Sequence, residues 1–330
     1  MTTLLLTATI DPRSTVFVLR SDPRVRLDDY CLALRQWLAA PGIERIVFCE
    51  NSGADLARLR SVAQEAPHRK SLEFLSYTAP ESECLRGKGY GEMGILSHVI
   101  SALRLQPADG LLKVTGRHFV ANAAALLADI HQRHRDAAVV TSPSVSGRIP
   151  TECFYATAGF LAGHLLENRE LVNDCVGYHM EHAMARAVAS AVAAGLVHAE
   201  LAATPDVAGV SGTTNLPLKV RRHSGLVHIA LPADHVRFLR ATLGVANGPQ
   251  PADGRVAAAL DARLAGLDQV GETALPEVGF SYAELGVIRL GILNSLLRPE
   301  GYLARTGFSE ESAKLFARAL EPDRSARAER

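Results

Sequence analysis

The sequence predicts an α/β fold: a mostly parallel sheet flanked by helices, followed by a helical C-terminal extension. Three observations carry this. Short apolar runs alternate with amphipathic stretches of about 10–15 residues through the first half of the chain, the pattern of βαβ units. The 330 residues are 48% hydrophobic and 21% charged, enough for a sizeable core. After Pro150 the alternation gives way to longer helical periodicity.

The elements follow in order. Leu4 to Ile10 is an apolar first strand. Asp28 to Ala40 is a helix with Tyr30, Leu34, Trp37 and Leu38 on one face, ended by Pro41-Gly42. Arg45 to Cys49 is a second strand and runs into Glu50-Asn51-Ser52-Gly53. A helix over 54–64 and a strand over 72–77 come next. A glycine-rich loop, Gly87-Lys88-Gly89-Tyr90-Gly91-Glu92, opens a helix through Leu105. Gly110 to Val114 is a strand leading into Thr115-Gly116-Arg117, followed by a helix over 122–135 and a strand over 137–141. Residues 154–158 read as a strand or strand–helix junction, 160–168 as a helix, and 174–195 as containing a long Ala-rich helix. From about Pro232 the chain reads as helical, with a break at 247–254 and an apolar helix over 281–297; residues 322–330 are charged and read as a frayed end. The expected division is a domain over 1–225 and a mainly helical extension over 226–330. No internal repeat is present.

Composition excludes several classes. Lys+Arg and Asp+Glu are both 35, so the chain is no general polyanion binder, and no nucleic-acid partner is expected. No run approaches roughly 18 apolar residues, so no membrane span is expected. Met1 to Ile10 lacks a basic start and a cleavage site, so it reads as a strand and not a leader. Cys31, Cys49, Cys84, Cys153 and Cys175 are scattered without CxxC, as buried thiols of a cytoplasmic protein would be.

Ligands of parallel sheets bind at the carboxyl ends of the strands. Those ends here carry Thr7 and Thr9, Glu50-Asn51-Ser52, the 87–92 loop, and Lys113, Thr115, Gly116 and Arg117. The unusual residues therefore share one edge. Lys113 sits where a buried strand would place Leu or Val, and an ammonium there needs an anionic partner. A phosphate would serve, and so would a nearby acid. In the 87–92 loop, free N–H groups at a helix start and Lys88 suit a phosphate, while Glu92 suits a ligand hydroxyl; the bland alternative is a turn with a surface lysine. The loop matches neither a Walker loop nor a dinucleotide fingerprint. Asn51 and Ser52 read equally as ligand contacts or as a helix cap. Glu181 and His182 are the candidates for acid–base chemistry, pointing about 100° apart on a helix; an ordinary acidic helix start is the alternative. The pair His179 and His182 lacks HExxH spacing, and no histidine is assigned to a metal. Ser211, Gly212 and Thr213 read as a substrate loop. Lys219, Arg221, Arg222 and His223 read either as a diphosphate clamp or as a solvated basic face.

Taken together, Thr7-Ala8-Thr9-Ile10, Val47 to Gly53, Gly87 to Glu92 and Lys113 to Arg117 resemble GT-A-type nucleotide-sugar glycosyltransferases, in particular those of bacterial surface polysaccharides (capsule and O-antigen type). The resemblance covers about residues 4–225. It implies a GT-A-like fold and transfer of a sugar from a nucleotide-sugar donor to a saccharide or lipid-linked acceptor. Thr7, Thr9, Glu50, Asn51 and Ser52 would hold the nucleoside. Lys88, Gly89, Glu92, Lys113, Thr115, Gly116 and Arg117 would complete the donor site. Glu181 would be the general base, with His182 as rival. The family's Asp-x-Asp is replaced by Lys113-Val114-Thr115-Gly116-Arg117, so no cofactor is expected, although a divalent cation stays open; cations of the chain would neutralise the leaving diphosphate. Homo-oligomerisation would use the C-terminal helices. A sugar-phosphate nucleotidyltransferase and a non-catalytic nucleotide-sugar-binding subunit are the alternatives.

Overall fold

β1 (Thr3–Ala8) is buried along its whole length and is an interior strand of a seven-stranded sheet. The protein is described by a computed structural model over residues 2–218, 220–223, 226–243, 251–267, 277–296 and 308–320. α1 (Pro23–Ala39) begins five residues before the expected helix. Asp22 caps it by accepting from the Arg24 and Val25 N–H groups, and Pro23 follows at the first helical position, where its missing donor costs nothing. β2 (Arg45–Glu50), α2 (Ala57–Glu65), β3 (Ser71–Ser76) and a single turn, α3 (Glu81–Cys84), lead to α4 (Lys88–Ala102). β4 (Gly110–Thr115), the two-residue β5 (Phe119–Val120), α5 (Ala123–Arg133) and β6 (Ala137–Thr141) follow. After β7 (Cys153–Thr157) and the turn α6 (Ala158–Phe160), residues 161–171 wind as π and 3₁₀ turns where one helix was expected. α7 (Met180–Ala193) and β8 (Val197–Glu200) finish the sheet, and the short β9 (Val207–Ala208) comes next.

The strand order is β3-β2-β1-β4-β7-β6-β8, and β7 alone runs against its neighbours. This is the α/β architecture the sequence predicts: a mostly parallel sheet flanked by helices, with a helical C-terminal region. One face, with Leu4, Leu6, Leu112 and Val114, packs on α1, α2 and α5 around the fully buried Trp37. The Trp37 indole N–H donates to the His118 carbonyl at 2.9 Å, which satisfies its one polar group. The other face, with Leu5, Leu111 and Phe154, packs on α4, α7 and the 158–172 segment. Each fully buried Leu, Val or Phe contributes roughly 1.5–3 kcal/mol against exposure.

The described residues divide into two compact units, residues 1–207 and 208–330, whereas the sequence reading drew the boundary at 225/226. The second unit holds a three-stranded antiparallel sheet, β10 (Val220–His223), β11 (Leu226–Ala230) and β12 (Glu277–Ser281), besides helices α8 (Ala233–Leu243), α9 (Pro251–Leu267), α10 (Tyr282–Ser295) and α11 (Glu310–Ala319). These strands were not expected, because the basic run masks the alternation of β10. Part of the expected break, Pro251 to Gly254, is the first turn of α9. Phe238, Phe308 and Phe316 stack at its core. Among the described residues no helix is long and apolar enough to cross a membrane. Cys31, Cys49 and Cys153 are buried as expected, but Cys84 is half-buried and Cys175 exposed.

Candidate functional site

The sheet register brings the predicted residues to one edge. Thr7 of β1 pairs with Cys49 and with Thr115, and Ala8 with Glu50. Alternation along β1 and β4 turns Thr7 and Lys113 to the face covered by α4. There Thr7 Oγ1 donates to Glu92 Oε1 at 2.6 Å, and the Lys113 ammonium meets the same oxygen at 2.6 Å. Lys113 is fully buried. Its ammonium also donates to the Thr151 carbonyl at 2.5 Å, lies 3.5 Å from Thr115 Oγ1, and stands 5.6 Å from the Phe154 ring centre. Lys113 thus makes an internal pair with an acid, the other of the two partners its burial calls for. Thr151 also donates from Oγ1 to Glu181 Oε1 at 3.0 Å. Thr7, Glu92, Lys113, Thr151 and Glu181 thus form one continuous polar chain beneath the edge.

Glu50 is likewise turned inward. It is fully buried, and its carboxylate accepts from the Ile10, Ser52 and Ala54 N–H groups and from the Ser52 hydroxyl. Four donors on one carboxylate make it the clamp of two loops. Ser52 Oγ accepts in turn from the Asp11 N–H at 3.1 Å. Asn51 accepts from Thr9 Oγ1 at 2.6 Å and donates to the Gly91 carbonyl at 3.3 Å.

The expected 87–92 loop is the first turn of α4, not a loop. Its glycines serve close approach. Gly87 has φ +103°, and a Cβ there would stand 2.3 Å from Asp174 Oδ2. Gly89 is buried against Met180 and Val172, so it packs α4 on α7 and does not face solvent. Tyr90 is held between the Arg86 and Arg169 guanidiniums, 4.2 and 4.3 Å from its ring centre, and donates to Glu170 at 2.6 Å. Only Lys88 of this turn is exposed.

A small, partly enclosed cleft lies along this edge. It is lined by Thr9, Asn51, Ala79, Gly87, Lys88 and Gly91, and by Arg13, Arg26 and Glu83, which the sequence reading did not single out. Arg26 projects from α1 and donates to the Thr9 carbonyl at 2.8 and 2.5 Å and to the Arg20 carbonyl at 3.0 Å. Burial pushes its guanidinium down to about 10, and nearby Arg117 acts in the same direction, so it stays charged at neutral pH. Arg20 is paired with Asp29 at 2.5 and 2.7 Å. Arg13 donates to the Ala79 carbonyl at 2.8 Å. Three cations thus face one carboxylate in the lining. The sequence signal for Arg26 was available: it sits one turn into the helix that Asp22-Pro23 starts.

Gly116 donates its N–H to the Thr7 carbonyl at 2.8 Å, and a Cβ would stand 2.9 Å from that oxygen, so only glycine fits the turn. Arg117, which follows, is buried. At the start of α7, His182 Nδ1 accepts the His179 backbone N–H at 3.1 Å and its ring stacks on Tyr178 and His179. Ser211, Gly212 and Thr213 belong to the second unit, where the Ser211 carbonyl and Oγ close a turn on Asn215 and Thr214. Lys219 lies outside the described residues, as do the side chains of Arg221, Arg222 and His223. Among the described residues no group of three or more His, Cys, Asp or Glu is arranged to hold a metal ion.

No family model matches the chain, and no curated relative matches it. Solved structures similar to it include a 4-diphosphocytidyl-2C-methyl-D-erythritol synthase, with 13% identity over 66% of this chain and 91% of that one at a TM-score of 0.32. Another is S. aureus TarS 1–349 in complex with UDP, with 13% identity over 100% of this chain and 92% of that one at a TM-score of 0.33.

Proposed function

We propose that the chain is a nucleotide-sugar glycosyltransferase whose donor nucleotide occupies the cleft along β1, β2 and the start of α4, and whose acceptor is a saccharide or a lipid-linked saccharide. One observation carries this: polar groups and three cations, Thr9, Asn51, Arg13, Arg26 and Lys88, converge on one cleft at the carboxyl edge of the sheet. Thr9 and Asn51 offer hydroxyl and amide groups to a nucleoside. Arg26 and Lys88 supply positive charge for the diphosphate as the glycosidic bond breaks, the task a divalent cation performs elsewhere. Lys113 acts from beneath by fixing Glu92 and, through Thr151, Glu181. Glu50 fixes the Asn51 loop. The acceptor would lie toward the start of α7, where Glu181 and the histidines stand.

The test is a thermal-shift series with UDP, GDP and CDP and their hexose conjugates, with and without EDTA. A ligand of the folded state raises the melting temperature by mass action. A shift with one nucleoside diphosphate that survives EDTA and is lost in Asn51→Ala is the expected result. No shift with any nucleotide would remove the reading.

A second reading has its own observation. A sugar-phosphate nucleotidyltransferase carries cations directly after the first strand, and Arg13 lines the cleft from that position. Pyrophosphate release from a nucleoside triphosphate and a hexose 1-phosphate would favour it.

A further inference from the structure

We propose that the proton acceptor of this transferase is His179, held by the buried carboxylate of Asp174. The inference rests on the glycosyltransferase reading and names a residue that the sequence weighed only as part of a His179/His182 metal spacing. His179 Nδ1 lies 2.9 Å from Asp174 Oδ1, with the Asp174 side chain 3% and the His179 side chain 37% exposed. The pair is one residue removed from the cleft: Asp174 Oδ2 lies 2.3 Å from where a Cβ on Gly87 would be, and Gly87 lines the cleft beside Lys88.

The hydrogen bonds decide which imidazole can take a proton. His182 Nδ1 already accepts the His179 N–H, so the neutral ring carries its hydrogen on Nε2 and has no lone pair to offer. His179 is the reverse case. A carboxylate at Nδ1 requires the hydrogen there, which leaves the Nε2 lone pair available on a ring that reaches solvent. Asp174 is suited to holding it. Its Oδ2 is buried and has no hydrogen-bond partner among the described residues, so its hydrogen bonding to side chains runs through His179. Glu181 has one oxygen committed to Thr151.

In the step, His179 Nε2 takes the proton of the acceptor hydroxyl. The freed oxygen forms a bond to the anomeric carbon. The bond from that carbon to the diphosphate oxygen breaks, and its electron pair leaves with the nucleoside diphosphate. The imidazolium is balanced by Asp174. Water in place of the sugar acceptor gives slow hydrolysis of the donor by the same route. The His182 ring stacks on the His179 ring, 5.7 Å between centres; Tyr178 and Glu181 are its titratable neighbours in the chain, and Arg86 and Lys88 flank Gly87.

The test measures nucleoside diphosphate release from UDP-, GDP- and CDP-hexoses by the full chain. His179→Gln should lower release by about 100-fold or more while nucleoside diphosphate affinity stays within about threefold. His179→Gly keeps a residue tolerated at a helix N-cap, and added imidazole should restore part of its activity. Asp174→Asn should displace the pH limb of the parent rate, which a purely structural role would not do. His179→Gln that keeps more than a third of parent activity, or His179→Gly deaf to imidazole, overturns the assignment. Activity lost in Asn51→Ala yet kept in His179→Gln overturns His179 alone and leaves the transferase standing. A parent chain that releases no diphosphate from any of these donors removes both.

Discussion

Lys113→Met separates an internal role for this lysine from a ligand-binding one. The substitution keeps the length and the apolar stem and removes the ammonium. It deletes the 2.6 Å pair with Glu92 and the donation to the Thr151 carbonyl. Removing one member of a fully buried pair costs about 3–5 kcal/mol. Glu92 is 20% exposed, so water can return to its carboxylate. The methionine also packs against Phe154. The net expectation is a loss of about 2–3 kcal/mol, which for a unit of this size lowers the melting temperature by roughly 4–12 °C. Glu92→Gln in the same background removes the stranded carboxylate and keeps an acceptor for Thr7, so the double variant should recover about half of the loss. The assay is thermal unfolding of parent, single and double variants, with nucleoside diphosphate affinity measured well below each midpoint. Affinity should stay within about threefold of the parent. A Lys113→Met protein that melts within 1 °C of the parent but no longer binds nucleotide would refute the argument and return Lys113 to the diphosphate.

Gly87→Ala places a methyl group 2.3 Å from Asp174 Oδ2 on a backbone with φ +103°, so a loss of roughly 2–4 kcal/mol in thermal unfolding is expected. Thiol labelling of the folded chain at pH 8 should modify Cys175 first and Cys84 next. Cys49 and Cys153 should resist until unfolding, because burial pushes both thiols up to about 12. Burial also holds the His198 imidazole below its ordinary value, against the opposing pull of Glu200. The folded state therefore prefers it neutral, and its contribution is full above the unfolded value of about 6.5 and is lost as pH falls through the folded one. His198→Gln should flatten that part of the stability–pH curve in denaturant titrations between pH 7 and 5.

Periodicity and helix signals are local, so the sequence by itself determined the α/β class, most strands of the sheet and the edge at which its polar residues gather. The first five strands of the reading lie within a few residues of β1, β2, β3, β4 and β6. What it could not determine is where each polar group turns. Lys113 reads as a ligand contact until Glu92 of α4 and the Thr151 carbonyl, 38 residues away, close over it. Glu50 reads as a ribose contact until four donors converge on it from its own loop and from Ile10. The glycines of 87–92 read as a phosphate loop until Asp174 and Met180 arrive against them. Arg26 and His179 each stand at a helix start that the local sequence marks, but nothing local says what they face; the fold gives one a place in the cleft wall and the other a buried carboxylate. A partner about 20 to 90 residues distant leaves no mark on the local pattern, and the choice between a ligand and an internal ion pair depends on that partner. Only tertiary packing, which sets burial and the competing hydrogen bonds, could decide it.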